Sequence, residues 1–140
     1  MIGSSSSSCR GVDYTRPACS VLVINVLTLV VAIQTRARLG GPDILLPLIV
    51  FQYWAACVNQ GFLLRAYFPF WQLIDYACAF VLGCVWLHVA MRRLPFLAVF
   101  PLAVVGSGLN VWQITARTRK EFVARVNWWH LHVCLCLIVL

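Results

Sequence analysis

Four long stretches of the chain are almost free of charged side chains, and they limit the folds that it can adopt. They contain 18, 21, 22 and 20 residues and cover positions 18–35, 44–64, 70–91 and 95–114. A helix needs about 20 residues to cross the hydrocarbon core of a bilayer. None of the stretches alternates polar and apolar residues as a membrane β-barrel requires. The chain is therefore predicted to be an all-α, polytopic transmembrane helix bundle with these four spans.

The amino-acid composition also favours a membrane location. Of the 140 residues, 62% are hydrophobic and 11% are charged, whereas soluble domains carry about 25% charged residues. A water-soluble protein of this size could not bury so much apolar surface. The length suffices for one domain. We predict a flexible polar tail at 1–17, followed by a single helix bundle at 18–140.

The C-terminal end of the chain contains a shorter apolar stretch. Positions 115–127 carry several charges, and only the 13 residues at 128–140 are apolar overall. At about 1.5 Å per residue, they would cover roughly 20 Å of a hydrocarbon core about 30 Å thick. We predict a short fifth helix over 120–140 that thins the bilayer. The alternatives are a helix that lies in the interface and a segment that needs a partner chain to complete its crossing.

Basic residues in the predicted loops indicate how the bundle is oriented. Cytoplasmic loops of membrane proteins carry an excess of Lys and Arg. The side that holds the N-terminus has seven such residues and the opposite side has four. The seven are Arg10, Arg16, Arg65, Arg117, Arg119, Lys120 and Arg125, and the four are Arg36, Arg38, Arg92 and Arg93. We expect a cytoplasmic N-terminus, in a plasma membrane or a bacterial inner membrane rather than an organelle.

Each of the four stretches has one face of small or polar residues. In the first stretch this face consists of Asn25, Thr28, Ala32 and Thr35, which follow each other at steps of three and four residues. Lipid-facing surfaces have no reason to place amides at helical spacing, so these faces are predicted to point into the bundle. Their simplest role is helix packing through interhelical hydrogen bonds and close approach. The other faces are Gln52, Ala56 and Asn59; Gln72, Asp75, Ala79 and Leu82; and Ala103, Gly106, Asn110 and Gln113.

Polar groups on these faces also share a similar predicted depth. Counted from the membrane border nearer the N-terminus, Asn25, Asn59, Asp75 and Asn110 lie four to seven residues inside. This arrangement would suit a polar vestibule or a solute site in the cytoplasmic half of the bundle. The histidines of the C-terminal stretch join it if that stretch enters from the same side. The predicted polar cluster consists of Asp75, Asn25, Asn59, Asn110, Gln72 and Gln113.

Asp75 is the only acidic residue within the four stretches. A charged side chain at the centre of a membrane helix costs about 2.5 to 3.5 kcal/mol on insertion scales, so it normally has a partner or a function. Arg65 ends the preceding stretch on the same side and is the predicted ion-pair partner. The functional alternative is a proton- or cation-binding group in a conduction path.

The C-terminal stretch contains two histidine–cysteine pairs. His130 and Cys134 are four residues apart, as are His132 and Cys136, and both residue types are ligands of zinc, copper and haem iron. However, the two pairs diverge by about 160° around the helix axis, so one helix cannot supply all four ligands. We predict interfacial histidines followed by apolar thiols, with no metal and no cofactor. These four residues are the candidates should a second chain complete a site.

The sequence contains no recognisable set of catalytic residues. We find no Ser/His/Asp set, no phosphate-binding glycine loop and no helical His-Glu-x-x-His motif. The net charge of +7 belongs to loops and forms no basic helix face, so nucleic acid is not an expected partner. We predict a non-enzymatic bundle whose partners are the bilayer and other membrane subunits, or further copies of itself. The alternatives are a small channel, holin-like pore or transporter subunit that uses the polar cluster, and an intramembrane enzyme.

Overall fold

The described part of the chain forms five α-helices and one π-helical turn. The structure is a computed structural model, in which residues 18–40, 42–61 and 69–140 are described and contain no strand. The predicted tail at 1–17 lies outside these residues. The prediction of an all-α bundle is confirmed. The helices are α1 (Cys19–Leu39), α2 (Leu45–Ala56), α3 (Pro69–Arg93), α4 (Phe96–Ile114) and α5 (Arg119–Val139), and the π-turn is Cys57–Gly61.

Four of the helices, α1, α3, α4 and α5, are long and apolar enough to cross a membrane. The chain is therefore a small multi-pass integral membrane protein. Helix α2 has 12 residues and continues into the 5-residue π-turn, so the described part of the second predicted span is shorter than its neighbours. Positions 62–64, the end of that predicted span, lie outside the described residues.

The five helices pack in a closed ring that follows the chain order. Each helix contacts the next one along the sequence, and α5 returns to pack against α1. The contact between α1 and α5 is the most extensive in the bundle, whereas α3 and α4 make the least extensive contact between neighbouring helices. The ring is therefore tightly closed where its two ends meet and loosely closed between α3 and α4.

The polar faces predicted for the first two stretches point into this ring. On α1, the buried residues are Asn25, Thr28, Ala32 and Thr35, together with Val21. Gln52, Ala56 and Asn59 are likewise buried. These side chains occupy positions three, four or seven residues apart, so one face of each helix carries all of them.

The third and fourth polar faces are buried only in part. On α3, Asp75 and Leu82 are buried, whereas Ala79 is half-buried. On α4, Gly106 and Gln113 are buried, whereas Ala103 and Asn110 are exposed. The loose contact between α3 and α4 explains this exposure, because neither helix covers the other fully.

Helix α5 begins within the charged segment that precedes the apolar C-terminal stretch. It has 21 residues, which corresponds to about 31 Å and matches the hydrocarbon core. The charged first turns are stabilised by polar contacts: the Thr118 hydroxyl accepts from the Glu121 amide at 3.2 Å, an N-cap. Arg125 donates to the Trp112 carbonyl of α4 at 2.9 Å. Helix α5 is therefore long and apolar enough to be a candidate span, and its length equals that of the predicted helix over 120–140.

The other end of α5 is tied to α1. The Thr35 hydroxyl donates to the Leu137 carbonyl at 3.0 Å. Arg38 donates to the same carbonyl at 3.2 Å and to that of Ile138 at 3.3 Å. The last carbonyls of a helix have no partner within it, so these bonds supply a C-terminal cap from a neighbouring helix.

Candidate functional site

The Asp75 carboxylate on α3 is the centre of a buried polar cluster. Its side chain is enclosed, with 1% of the residue surface exposed. Gln52 donates to Oδ1 at 2.9 Å, and Asn59 and Gln60 donate to Oδ2 at 2.7 and 3.0 Å. Three amide N–H groups thus converge on one carboxylate. This arrangement suits an ionised Asp75, because both oxygens act as acceptors.

The π-turn brings two consecutive side chains to the same carboxylate. In an α-helix, neighbouring residues do not face the same partner. A π-helix closes its hydrogen bonds at i→i+5 and has a wider turn. Within Cys57–Gly61, both Asn59 and Gln60 are buried and both bond to Asp75. The irregular turn therefore contributes directly to the site, as π-bulges in helices frequently do.

Gln60 extends the cluster to α5. The His130 Nε2 atom lies 3.0 Å from Gln60 Oε1. Because the Gln60 amide nitrogen donates to Asp75, its oxygen is the acceptor here, and we assign the Nε2–H tautomer to His130. The Tyr53 ring packs beside this histidine with its centroid 6.4 Å from the imidazole centroid. A hydrogen-bonded chain thus connects α3, the π-turn and α5. We define the Asp75 cluster as Asp75, Gln52, Asn59, Gln60 and His130.

Three acceptor atoms of the Asp75 cluster remain open. Gln52 Oε1, Asn59 Oδ1 and His130 Nδ1 are buried and have no hydrogen-bond partner among the described residues. Leaving a buried polar atom unpaired costs about 1 to 3 kcal/mol. All three are acceptors once the donors have been assigned, so a group that satisfies them must supply hydrogen-bond donors.

A cavity of about 290 Å³ lies beside the cluster, between α2, α3, α4 and α5. Gln52 and His130 form part of its wall, and the remainder is mostly apolar. Three of its lining residues, Gly83 and Leu87 on α3 and Ala103 on α4, are also exposed on the outer surface. The cavity therefore reaches the lipid-facing surface between these two helices. We call this opening the α3/α4 cleft.

The structure does not gather the six predicted residues into one cluster: Asn59 donates to Asp75 at 2.7 Å, and the bonds described below hold the others elsewhere. Asn25 is buried but donates to the Val21 carbonyl of its own helix at 2.8 Å. Gln113 donates to Asn110 at 2.8 Å, so these two form a separate pair on α4. Gln72 donates to the Tyr76 hydroxyl at 3.4 Å, also within one helix. The predicted partner Arg65 lies outside the described residues.

The histidine–cysteine pairs bond to other groups. Cys134 donates to the Thr28 hydroxyl at 3.2 Å, and His130 belongs to the Asp75 cluster. His132 Nε2 lies 3.0 Å from the Leu102 carbonyl and 3.4 Å from Cys136 Sγ. Across residues 18–40, 42–61 and 69–140, no group of three or more His, Cys, Asp or Glu residues could hold a metal ion.

Gln52 and Gln60 belong to the Asp75 cluster but are not among the predicted polar-cluster residues. Gln52 belongs to a polar face whose helical spacing the sequence reveals, and its burial follows from that spacing. Gln60 lies four residues after Ala56, so helical spacing places it beside that face as well, although the predicted face ends at Asn59. His130 carries two predictions, one as a member of the polar groups if the C-terminal stretch enters from the N-terminal side and one as a candidate metal ligand, and its partner here is the Gln60 amide.

Comparisons with known proteins gave no match to a family model, to a curated protein or to a solved structure.

Proposed function

We propose that this chain is a non-enzymatic membrane subunit that receives a transmembrane helix of a partner subunit in the α3/α4 cleft. One observation carries the proposal: the ring is loosely closed at the one place where its internal cavity reaches the lipid-facing surface. Elsewhere in the described ring, neighbouring helices pack more extensively.

The edges of the cleft permit close approach of another helix. Gly83 on α3 is exposed, and a Cβ added there would meet nothing within 4 Å. Ala79, one turn earlier, also lines the cavity, so the two residues form a small-xxx-small pair. Helices associate in lipid through close backbone approach at such residues.

The cluster behind the cleft favours a partner helix with a polar side chain. Gln52 Oε1 and His130 Nδ1 are open acceptors on residues of the cavity wall. A hydroxyl or amide donor on the incoming helix would satisfy them. Asp75 itself is enclosed by amide donors from α2 and the π-turn, and we assign it the role of fixing α3 to these elements. The hydrogen bonds of Asp75 that are described above do not reach α4.

Filling the cleft tests this proposal. We expect Gly83→Leu to block binding of the partner helix. The complex is purified in mild detergent from the membranes of its source, and the mass of the variant particle should fall to that of the 15.8 kDa chain alone. Gly108→Leu is the matched control, because Gly108 is also exposed with nothing within 4 Å of its Cβ position and does not line the cavity. Native mass spectrometry measures the mass of each particle. Monomers from the wild type and both variants would refute the proposal.

The second candidate is a conduit formed by several copies. The hydrogen-bonded chain from Asp75 through Gln60 to His130 beside a cavity favours it, whereas the enclosure of Asp75 counts against an open lumen in this state. Liposome flux measurements on Asp75→Asn separate the two. The conduit hypothesis requires loss of a pH-dependent flux in a ring-shaped oligomer. A less stable variant with unchanged flux agrees with a structural Asp75.

A further inference from the structure

A second pocket lies at the end of the bundle where α1 and α3 finish and α2 begins. It has a volume of about 180 Å³ and is bordered by three arginines, Arg36 from α1 and Arg92 and Arg93 from α3. Both pairs of basic residues in the last turns of α1 and α3 are at this end. Because these helix ends mark the boundary of the apolar spans, the pocket lies at the membrane–water interface. We call it the interfacial pocket.

The charge around the interfacial pocket is strongly unbalanced. Arg36 pairs with Asp43 at 2.6 Å, yet its Nε atom is buried and has no hydrogen-bond partner among the described residues. Arg92 and Arg93 are exposed and form no ion pair with any acidic residue that the structure describes. Three guanidinium groups therefore border the pocket, and one of them is paired with a carboxylate. Carbonyl groups at the C-termini of α1 and α3 repel anions, so the attraction for an anion comes from the arginines together with the N-terminal end of α2.

The rest of the pocket wall is apolar. Val85, Trp86 and Val89 of α3 line it together with the buried Leu45 at the start of α2. An exclusively polar ligand would leave these side chains uncovered. A ligand that carries a negative charge next to an apolar chain would match both parts of the wall.

We propose that the interfacial pocket binds the headgroup of one anionic phospholipid. Guanidinium groups bind phosphate through paired N–H donors, so Arg92 and Arg93 would hold the phosphate, with the Arg36 guanidinium beside them at the pocket border. An apolar cavity of about 150 Å³ holds a benzene molecule, so this pocket admits a phosphate with its glycerol carbons and the start of an acyl chain against Val85 and Val89. The remainder of the acyl chains lies on the outside of the bundle.

The proposal is tested by native mass spectrometry of the purified chain in detergent, titrated with phosphatidylglycerol or with phosphatidylcholine. We expect one bound phosphatidylglycerol at concentrations where phosphatidylcholine leaves the chain free. The double variant R92Q/R93Q should weaken phosphatidylglycerol binding about 10- to 30-fold, since each basic side chain near a membrane surface contributes to anionic-lipid affinity. The control R117Q/K120Q removes the same charge from exposed residues at the opposite end of the bundle and should change binding less than twofold.

A further variant separates a specific pocket from general surface charge. Val89→Phe keeps every arginine and fills the pocket, so it should abolish the single bound lipid. Retention of that lipid in Val89→Phe, or equal weakening by both double variants, would overturn the proposal. Inorganic phosphate is then added at 10 mM, which exceeds the lipid concentration about a thousandfold. Full displacement of the bound lipid by phosphate would overturn the lipid proposal and assign the pocket to the free anion. Because these residues lie apart from the α3/α4 cleft, the result is independent of the partner-helix proposal.

Discussion

The Gln60 amide oxygen accepts a hydrogen bond from the His130 imidazole at 3.0 Å, across 70 positions of the sequence. The same amide group donates to Asp75. One side chain thus holds the π-turn against α5 on one side and against α3 on the other, and its removal breaks both links.

We expect Gln60→Leu to lower the free energy of unfolding in detergent by about 1 to 3 kcal/mol, because His130 and Asp75 each lose a buried partner. Interhelical hydrogen bonds in membrane proteins average below 1 kcal/mol, which makes the lower half of this range the expected result. Gln34→Leu is the control, since Gln34 is exposed on α1. Unfolding by sodium dodecyl sulfate, followed by circular dichroism, measures both variants, and equal stability would contradict the assigned bonds.

Gly61 should not tolerate a side chain. A Cβ at this position would overlap the Leu22 side chain of α1, and the Gly61 carbonyl accepts from the Ala18 amide at 2.7 Å. Overpacking of this kind costs about 1 to 3 kcal/mol. We therefore predict a lower unfolding midpoint for Gly61→Val in the same assay. Gly108→Val should unfold at or above the wild-type midpoint. Its Cβ enters open space, and the unfolded chain loses the extra conformational freedom that a glycine provides.

Thr35 and Arg38 share the Leu137 carbonyl as acceptor, so their substitutions should not be additive. Thr35→Val removes one donor and leaves the Arg38 bond at 3.2 Å, and we expect a loss of about 0.5 to 1 kcal/mol. Thr35→Val combined with Arg38→Met leaves this carbonyl without either donor and should cost more than the sum of the single changes. Hydrogen exchange in the last turn of α5 reports the change locally. Strict additivity would indicate that the two bonds act separately.

The predicted five crossings would place the two chain termini on opposite sides of the membrane. We expect a reporter fused after Leu140 to be active on the side opposite to one fused before Met1, and the predicted orientation puts the N-terminal reporter in the cytoplasm. Split fluorescent protein complementation in the cytoplasm measures each fusion. Both termini on one side would mean an even number of crossings, with either α5 or the shorter α2 segment not crossing the bilayer.

The spacing of polar residues is sufficient to predict the inward faces of α1 and α2. Asn25, Thr28 and Thr35 recur at helical steps and are all buried, because polar side chains are disfavoured on a lipid-facing surface even where their own helix provides an acceptor, as it does for Asn25 and Thr28. The same rule is less successful on α4, where Asn110 is exposed and bonds to Gln113 of its own helix. Spacing indicates which residues share a face, but it does not reveal how closely the next helix covers that face.

Two features depend on contacts that spacing cannot reveal. Regular spacing places Gln60 inward, four residues after Ala56, but the shared bonding of Asn59 and Gln60 to one carboxylate follows from the π-turn. The predicted helix over 120–140 begins one residue from the observed start of α5, and the Thr118–Glu121 cap agrees with that start. The acceptors that the end of α4 provides for Arg125, within this helix, are a contact that spacing does not reveal.

The ring closes through its first and last helices, and this has a consequence for the order of assembly during synthesis. The Thr35 hydroxyl meets a carbonyl that lies 102 positions later. At about 5 to 20 residues per second, a ribosome needs roughly 5 to 20 s to make the intervening chain. Throughout that interval the polar face of α1 has no α5 to cover it, although the helix is already long enough to enter the membrane. Nascent α1 must therefore be sheltered by the insertion machinery or by its own α2 until the last helix arrives.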